Sequence, residues 1–119
     1  MKTAGLCMLL IFIYILQDWQ TGEFEATAYC SCAKCCGTHA DGMTSTGIKL
    51  ADGMAIVAVD PTVIPLGSEV YVPGYGLALA EDVGGAIKGK RIDVFFWTHE
   101  QALQWGRKKG VRVHWRTRR

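Results

Sequence analysis

The chain has 119 residues, half of them apolar, which is enough for one domain with a single core and too short for two. Formal net charge is only +2, but seven of the thirteen basic residues fall in 107–119, so residues 1–106 carry six Lys/Arg against eleven Asp/Glu, a balance of −5. A basic segment behind an acidic body reads either as a solvated terminus or as a surface for an anionic polymer; only Trp115 interleaves it and no nucleic-acid motif accompanies it, which argues against nucleic acid as the partner.

In chain order, Met1 and Lys2 precede an apolar run from Ala4 to Leu16, ended by Gln17 and Asp18. Its length suits the core of a signal peptide and falls short of the roughly 20 residues a membrane-crossing helix needs. Residues 1–22 are therefore expected to be a signal peptide or, since no small-x-small cleavage site follows, an uncleaved signal anchor holding the chain to a membrane through 4–16. The rival is a buried helix. Export to the extracellular space or cell envelope is the expectation, with 23–119 as the folded domain.

Glu23 to Tyr29 alternates polar with apolar residues and predicts a half-buried strand. Next come Cys30, Cys32, Cys35 and Cys36, four of the five cysteines, the other being Cys7. In an exported chain such a cluster reads as disulfides, in which adjacent Cys35 and Cys36 would each bridge to Cys30 or Cys32. It reads alternatively as a metal site, with His39 and Asp41 as further ligands, although the spacing is too compressed for a standard two-knuckle zinc site, or as free thiols. Either way it would pin a loop. The stretch onward to Gly53, rich in Gly, Thr, Ser and Asp, predicts a long loop of the kind that usually has a function.

Short strands are predicted at Met54–Val59, stopped by Asp60-Pro61, at Ser68–Val72, at Leu77–Ala80 after the turn Pro73-Gly74-Tyr75-Gly76, and at Arg91–Phe96. Thr98 and Gln101 form a capping box for a helix with Ala102, Leu103 and Trp105 as its apolar stripe and Gly110 as its end; Val111 and Val113 alternate in a last strand. Six short strands, one helix and non-local pairing predict a small closed or nearly closed β-barrel.

Three aspartates stand out. Asp93 lies between Ile92 and Val94, on the face that also carries Phe95, where lost hydration would raise its pKa and suit it to proton donation; the competing role is a carboxylate satisfied by backbone amides or by Lys90 or Arg91. Asp82, before Val83-Gly84-Gly85, and Asp60, before Pro61, sit at strand ends beside glycine-bearing loops, where each could equally be a turn aspartate.

Taken together, Ala26-Thr27-Ala28-Tyr29, Thr44-Ser45-Thr46-Gly47, Val59-Asp60-Pro61, Ile64-Pro65-Leu66-Gly67, Pro73-Gly74-Tyr75-Gly76, the run Ala80 to Gly89 and Ile92-Asp93-Val94-Phe95 resemble the 3D domain, a family named for three aspartates. It is similar to the barrel of MltA-type lytic transglycosylases and to the C-terminal domain of stationary-phase survival proteins. The resemblance spans roughly residues 24–115 and implies a six-stranded double-psi β-barrel that needs no cofactor and acts on peptidoglycan glycan strands. It implies that Asp93 is the single general acid and base, with Asp82 and Asp60 in support and Thr27, Tyr29, Gly84, Gly85 and Lys88 in the groove. Val83 departs from the pattern, standing where many relatives have a hydroxyl residue. An aspartic peptidase is disfavoured because no Asp-Thr/Ser-Gly motif is present.

Overall fold

A computed structural model describes residues 18–32 and 41–118. The apolar run 4–16, Cys7, Cys35, Cys36 and His39 lie outside the described residues, and with them the signal-segment reading and the cysteine pairings. Among the described residues no helix is long and apolar enough to cross a membrane.

Within the described residues six strands and one helix follow in the order β1 (Gln20–Tyr29), β2 (Ile56–Ala58), β3 (Glu69–Val72), β4 (Gly76–Asp82), β5 (Arg91–Phe95), α1 (His99–Trp105) and β6 (Lys108–Arg116). The strands close into a barrel ordered β1-β5-β2-β4-β3-β6. Two neighbouring pairs are parallel, β1 with β5 and β2 with β4, and the other pairings are antiparallel. Closure removes the sheet edges that would otherwise invite pairing with another chain.

Alternation along the strands sorts the apolar residues into two cores. Phe24, Ala26, Val57, Val59, Val70, Val72, Ile92, Val94 and Val113 fill one, and Trp105 of α1 joins them. On the opposite face of β1, β2 and β5, Tyr29, Ile56, Ala58 and Phe95 form a smaller core with Leu50 and Ile87 from the flanking loops. That second core explains why β2 and β5 carry apolar residues on both faces: loops cover the outside of the barrel here.

Two features differ from the sequence reading. The helix ends at Trp105, where Gly106, at a φ of 70°, turns its N–H back to the Ala102 carbonyl; Gly110 lies inside β6. Leu103 is 67% exposed, so the stripe facing the barrel is Ala102 and Trp105. The capping box is present as expected, with the Gln101 N–H donating to Thr98 Oγ1 at 3.1 Å and the Thr98 N–H donating to Gln101 Oε1 at 3.2 Å.

Most of the basic segment forms strand β6, which pairs with β1. Arg107 meets Glu25 at 2.7 Å, Arg112 meets Glu23 at 3.3 Å, and Arg116 meets Glu69 at 3.4 Å while stacking on Trp19. Exposed pairs of this kind contribute about 0–1 kcal/mol each. The first two link β1 to β6 and the residue before it, and the third links β6 to β3.

Candidate functional site

Strand register assembles the site. In β2, Ile56 pairs with Leu79 and Val57 with Ala80, but Ala58 pairs with Asp82, because a bulge leaves Glu81 over. Without the bulge Glu81 would occupy Ala58's row; with it, Asp82 does. On its other side Ala58 pairs with Asp93, and Asp93 pairs with Thr27 of β1. The row across four strands is therefore Asp82, Ala58, Asp93, Thr27. Two strand spacings separate the two aspartates at the backbone, roughly 10 Å. The small side chain of Ala58 leaves the floor between them low.

Over this row lies a cavity of about 480 Å³ lined by Tyr29, Asp41, Thr44, Ser45, Asp82, Gly84, Gly85 and Asp93, among others. A second hollow of about 420 Å³ opens beside Asp93 in the other direction, bounded by Thr27, Arg91, Leu103 and Arg107. Asp93 thus borders both. Each volume falls in the range of small-ligand sites.

The two carboxylates have different surroundings. Asp82 accepts four hydrogen bonds: from the Tyr29 hydroxyl at 2.8 Å, from the Ser45 hydroxyl at 2.8 Å, and from the N–H groups of Ser45 and Val83 at 3.0 Å each. Among the described residues Asp93 accepts from one donor, Thr27 Oγ1 at 3.0 Å. Burial pushes the Asp93 carboxyl up to about 6; the Thr27 hydroxyl and the Arg91 charge oppose the rise and Asp82 adds to it. Burial, reinforced by Asp82, raises the Tyr29 phenol, which keeps its proton and stays a donor.

Asp60 stands apart. Its carboxylate takes the N–H and hydroxyl of Thr62 at 3.0 and 2.7 Å and the Gly89 N–H at 2.8 Å, tying the Asp60-Pro61 turn to the loop before β5. It does not line the cavity. The Gly89 amide first, then the Thr62 donors, lower its carboxyl to about 2. The native state therefore binds this proton less tightly than the unfolded chain, a contribution to stability present above the ordinary carboxyl pKa and lost as pH falls from about 4 towards 2. Asp60→Asn is expected to lower Tm at pH 7, with the deficit narrowing over that acid window; a deficit independent of pH would contradict this role for the charge.

Of the other expected groove residues, Thr27 and Tyr29 hold the two aspartates directly, and Gly84 and Gly85 line the cavity. A Cβ on Gly84 would stand 2.9 Å from Ile87 Cγ1, so packing already requires glycine there. Lys88 is exposed, outside the cavity lining, with its charge acting on Asp60. The sequence reading missed the roles of Ser45, whose hydroxyl reaches Asp82 where Val83 cannot, and of Ala58. The Thr44-Ser45-Thr46-Gly47 motif was a signal for the first; an alanine carries none. Asp41 lines the cavity and accepts the Met43 N–H at 2.9 Å, while Cys30 and Cys32 gather with His99 instead.

Asp82 and Asp93, held in one four-strand row of a closed barrel, lie within a segment that matches a known family. The pattern of the 3D domain fits residues 55–115, and the chain belongs to the 3D domain family. It is 50% identical over 87 residues to YabE of Bacillus subtilis, whose name refers to cell wall shaping, covering 71% of this chain and 20% of that protein. It is 57% identical over 67 residues to the cell wall-binding protein YocH of the same organism, covering 55% of this chain and 23% of that one. The chain thus spans between a fifth and a quarter of the length of these two relatives. Among solved structures it is similar to MltA of Escherichia coli, described as a lytic transglycosylase fold, at 26% identity and a TM-score of 0.48, over 61% of this chain and 26% of that one.

Proposed function

We propose that this chain cleaves peptidoglycan glycan strands between N-acetylmuramic acid and N-acetylglucosamine, leaving a 1,6-anhydromuramyl end, in the cell envelope outside the membrane. The observation that carries this reading is Asp93, a carboxyl raised to about 6 by burial and placed between two hollows. An acid flanked by space on both sides suits the interior bond of a polymer. Membership of the 3D domain family and the wall-related names of the relatives support the substrate. The two parallel strand pairs support assigning the barrel to the double-psi type.

In this mechanism the protonated Asp93 gives its proton to the glycosidic oxygen as the bond to C1 breaks. The C6 hydroxyl of the same sugar closes on C1 and returns its proton to the Asp93 carboxylate. No water attacks, so one carboxyl serves as acid and then base, unlike the paired carboxylates of ordinary glycosidases. Asp82, fixed by four donors, faces the positive charge developing on the sugar ring; Asp60 holds the loops.

Because the acid form starts the reaction, kcat/KM should fall as pH rises through about 6. Thr27→Val removes a hydrogen bond that favours the charged form of Asp93, so the falling limb should move to higher pH. At pH 5, where the acid form dominates in both proteins, the rate should change by less than about tenfold. A limb that stays in place would deny Asp93 this part.

A second reading, wall binding without cleavage, is favoured by the name of YocH. The two are separated by incubating the purified chain with peptidoglycan sacculi. Soluble anhydromuropeptides that vanish with Asp93→Asn support the enzyme. Co-sedimentation without product, unchanged by that substitution, assigns a binding module and discards the mechanism.

A further inference from the structure

The cysteine motif is not used by the groove, and its described part has a partner far away in sequence. β1 and β5 are parallel, with Tyr29 opposite Phe95, so the two chains leave the barrel side by side. The Phe96 N–H donates to the Tyr29 carbonyl at 2.8 Å and prolongs this pairing by one step. Cys30 is the next residue on one chain. On the other, the Thr98 capping box fixes the start of α1 and makes His99 its first residue. Cys30 is fully buried, and Cys32 and His99 are half-buried.

The side chains meet there. His99 Nδ1 lies 3.7 Å from Cys30 Sγ and 3.6 Å from Cys32 Sγ, and the two sulphurs are 2.8 Å apart. The geometry points to a zinc site formed by Cys30, Cys32 and His99, which clamps the exit of β1 to the start of α1. Zinc bound at about 2.3 Å to sulphur and about 2.0–2.1 Å to nitrogen in a tetrahedron sets each sulphur–nitrogen edge at about 3.6 Å. Both edges already have that length. The sulphur–sulphur edge of such a tetrahedron is about 3.8 Å, so the two cysteines must part by about 1 Å. Cys32, in the bend beyond the strand, lies outside the barrel's ladder and is the residue placed to make that shift. Two thiolates and an imidazole form a soft donor set that selects zinc over magnesium or calcium. The thiolates balance the charge of the ion.

The consequence for the groove is positional. Cys30 follows Tyr29, whose hydroxyl holds Asp82, so the metal would fix the end of β1 from which that hydrogen bond is made.

The test uses the full-length protein purified under reducing conditions without chelator. Metal analysis should find one zinc per chain, and replacement by cobalt(II) should give a thiolate-to-metal charge-transfer band with the visible bands of a tetrahedral ion. Cys30→Ser and Cys32→Ser should abolish the charge-transfer band or halve it. His99→Gln, at a half-buried helix start whose cap it does not supply, should keep the fold by circular dichroism and weaken zinc binding at least tenfold. Zinc binding unaltered by His99→Gln would overturn the proposal, as would a metal-free protein two hydrogens lighter than its reduced form because Cys30 and Cys32 are bonded to each other.

Discussion

Asp93→Asn is expected to eliminate glycan cleavage while making the protein more stable at neutral pH. Loss of a general acid costs typically 10²–10⁴ in rate, and in the proposed mechanism one group serves both proton transfers, so the loss should lie at the upper end. The stability gain follows from the same burial. The folded protein holds the Asp93 proton up to about pH 6, whereas in the unfolded chain it leaves near the ordinary carboxyl value of 3.8. Between those limits the native state binds more protons, so stability falls as pH rises through the window and the full cost is present above it. A shift of this size corresponds to about 3 kcal/mol at pH 7. Asparagine, uncharged at every pH, escapes it. Thermal unfolding of both proteins at pH 4 and pH 7.5 checks this: the variant's advantage should be small at the lower pH and large at the higher. An equal difference at both would mean that Asp93 ionises without cost and is no acid for this reaction.

Trp105→Ala should be the most destabilising single change in the helix. Trp105 is 9% exposed, packs against the rings of Tyr75 and Phe96, carries Lys108 over its face at 4.0 Å, and donates its indole N–H to the Ala26 carbonyl at 3.1 Å. Truncating a buried tryptophan costs about 3–5 kcal/mol, a large share of the roughly 5–15 kcal/mol that stabilises a domain. Trp105→Phe keeps most of the ring contacts but leaves the Ala26 carbonyl without this donor, for about 1–3 kcal/mol. Denaturant midpoints of the three proteins should therefore be ordered wild type, Phe, Ala. Because Ala26 precedes Thr27, the Ala variant should also shift the pH profile of cleavage. A midpoint for Trp105→Ala near that of the wild type would mean α1 is not anchored to the barrel by this side chain.

Much of this is legible in the sequence. Alternation in Arg91–Phe96 placed Asp93 with Phe95 on one face and Ile92 with Val94 on the other, and the two cores divide in that way. The capping box gives the start of α1, but not its end: Gly106 and Gly110 both have positive φ, and only the first closes the helix while the second lies inside β6. The start of β1 at Gln20 was hidden as well, since Gln20 and Thr21 are strand residues through Trp115 and His114. Asp82 was found as a strand-end aspartate, but its place in the row with Asp93 comes from a bulge, and a bulge is a property of two strands that neither sequence announces. Asp60 had the same local signature as Asp82 and was grouped with it. What separates them is the distant donor each meets, Gly89 for one and Tyr29 for the other. His99 carried no signal, because its neighbours in space are far from it in the chain.

The closing seam of the barrel bears on when it can form. β1 lies between β5 and β6, and Trp105 reaches Ala26 across 79 residues. The first strand to be synthesised thus has no sheet partner until the last parts of the domain exist, and the loop entropy for that encounter must be met before any contact rewards it. Closing the barrel at β1 is thus its most non-local pairing, whereas β3 and β4 meet across a short turn.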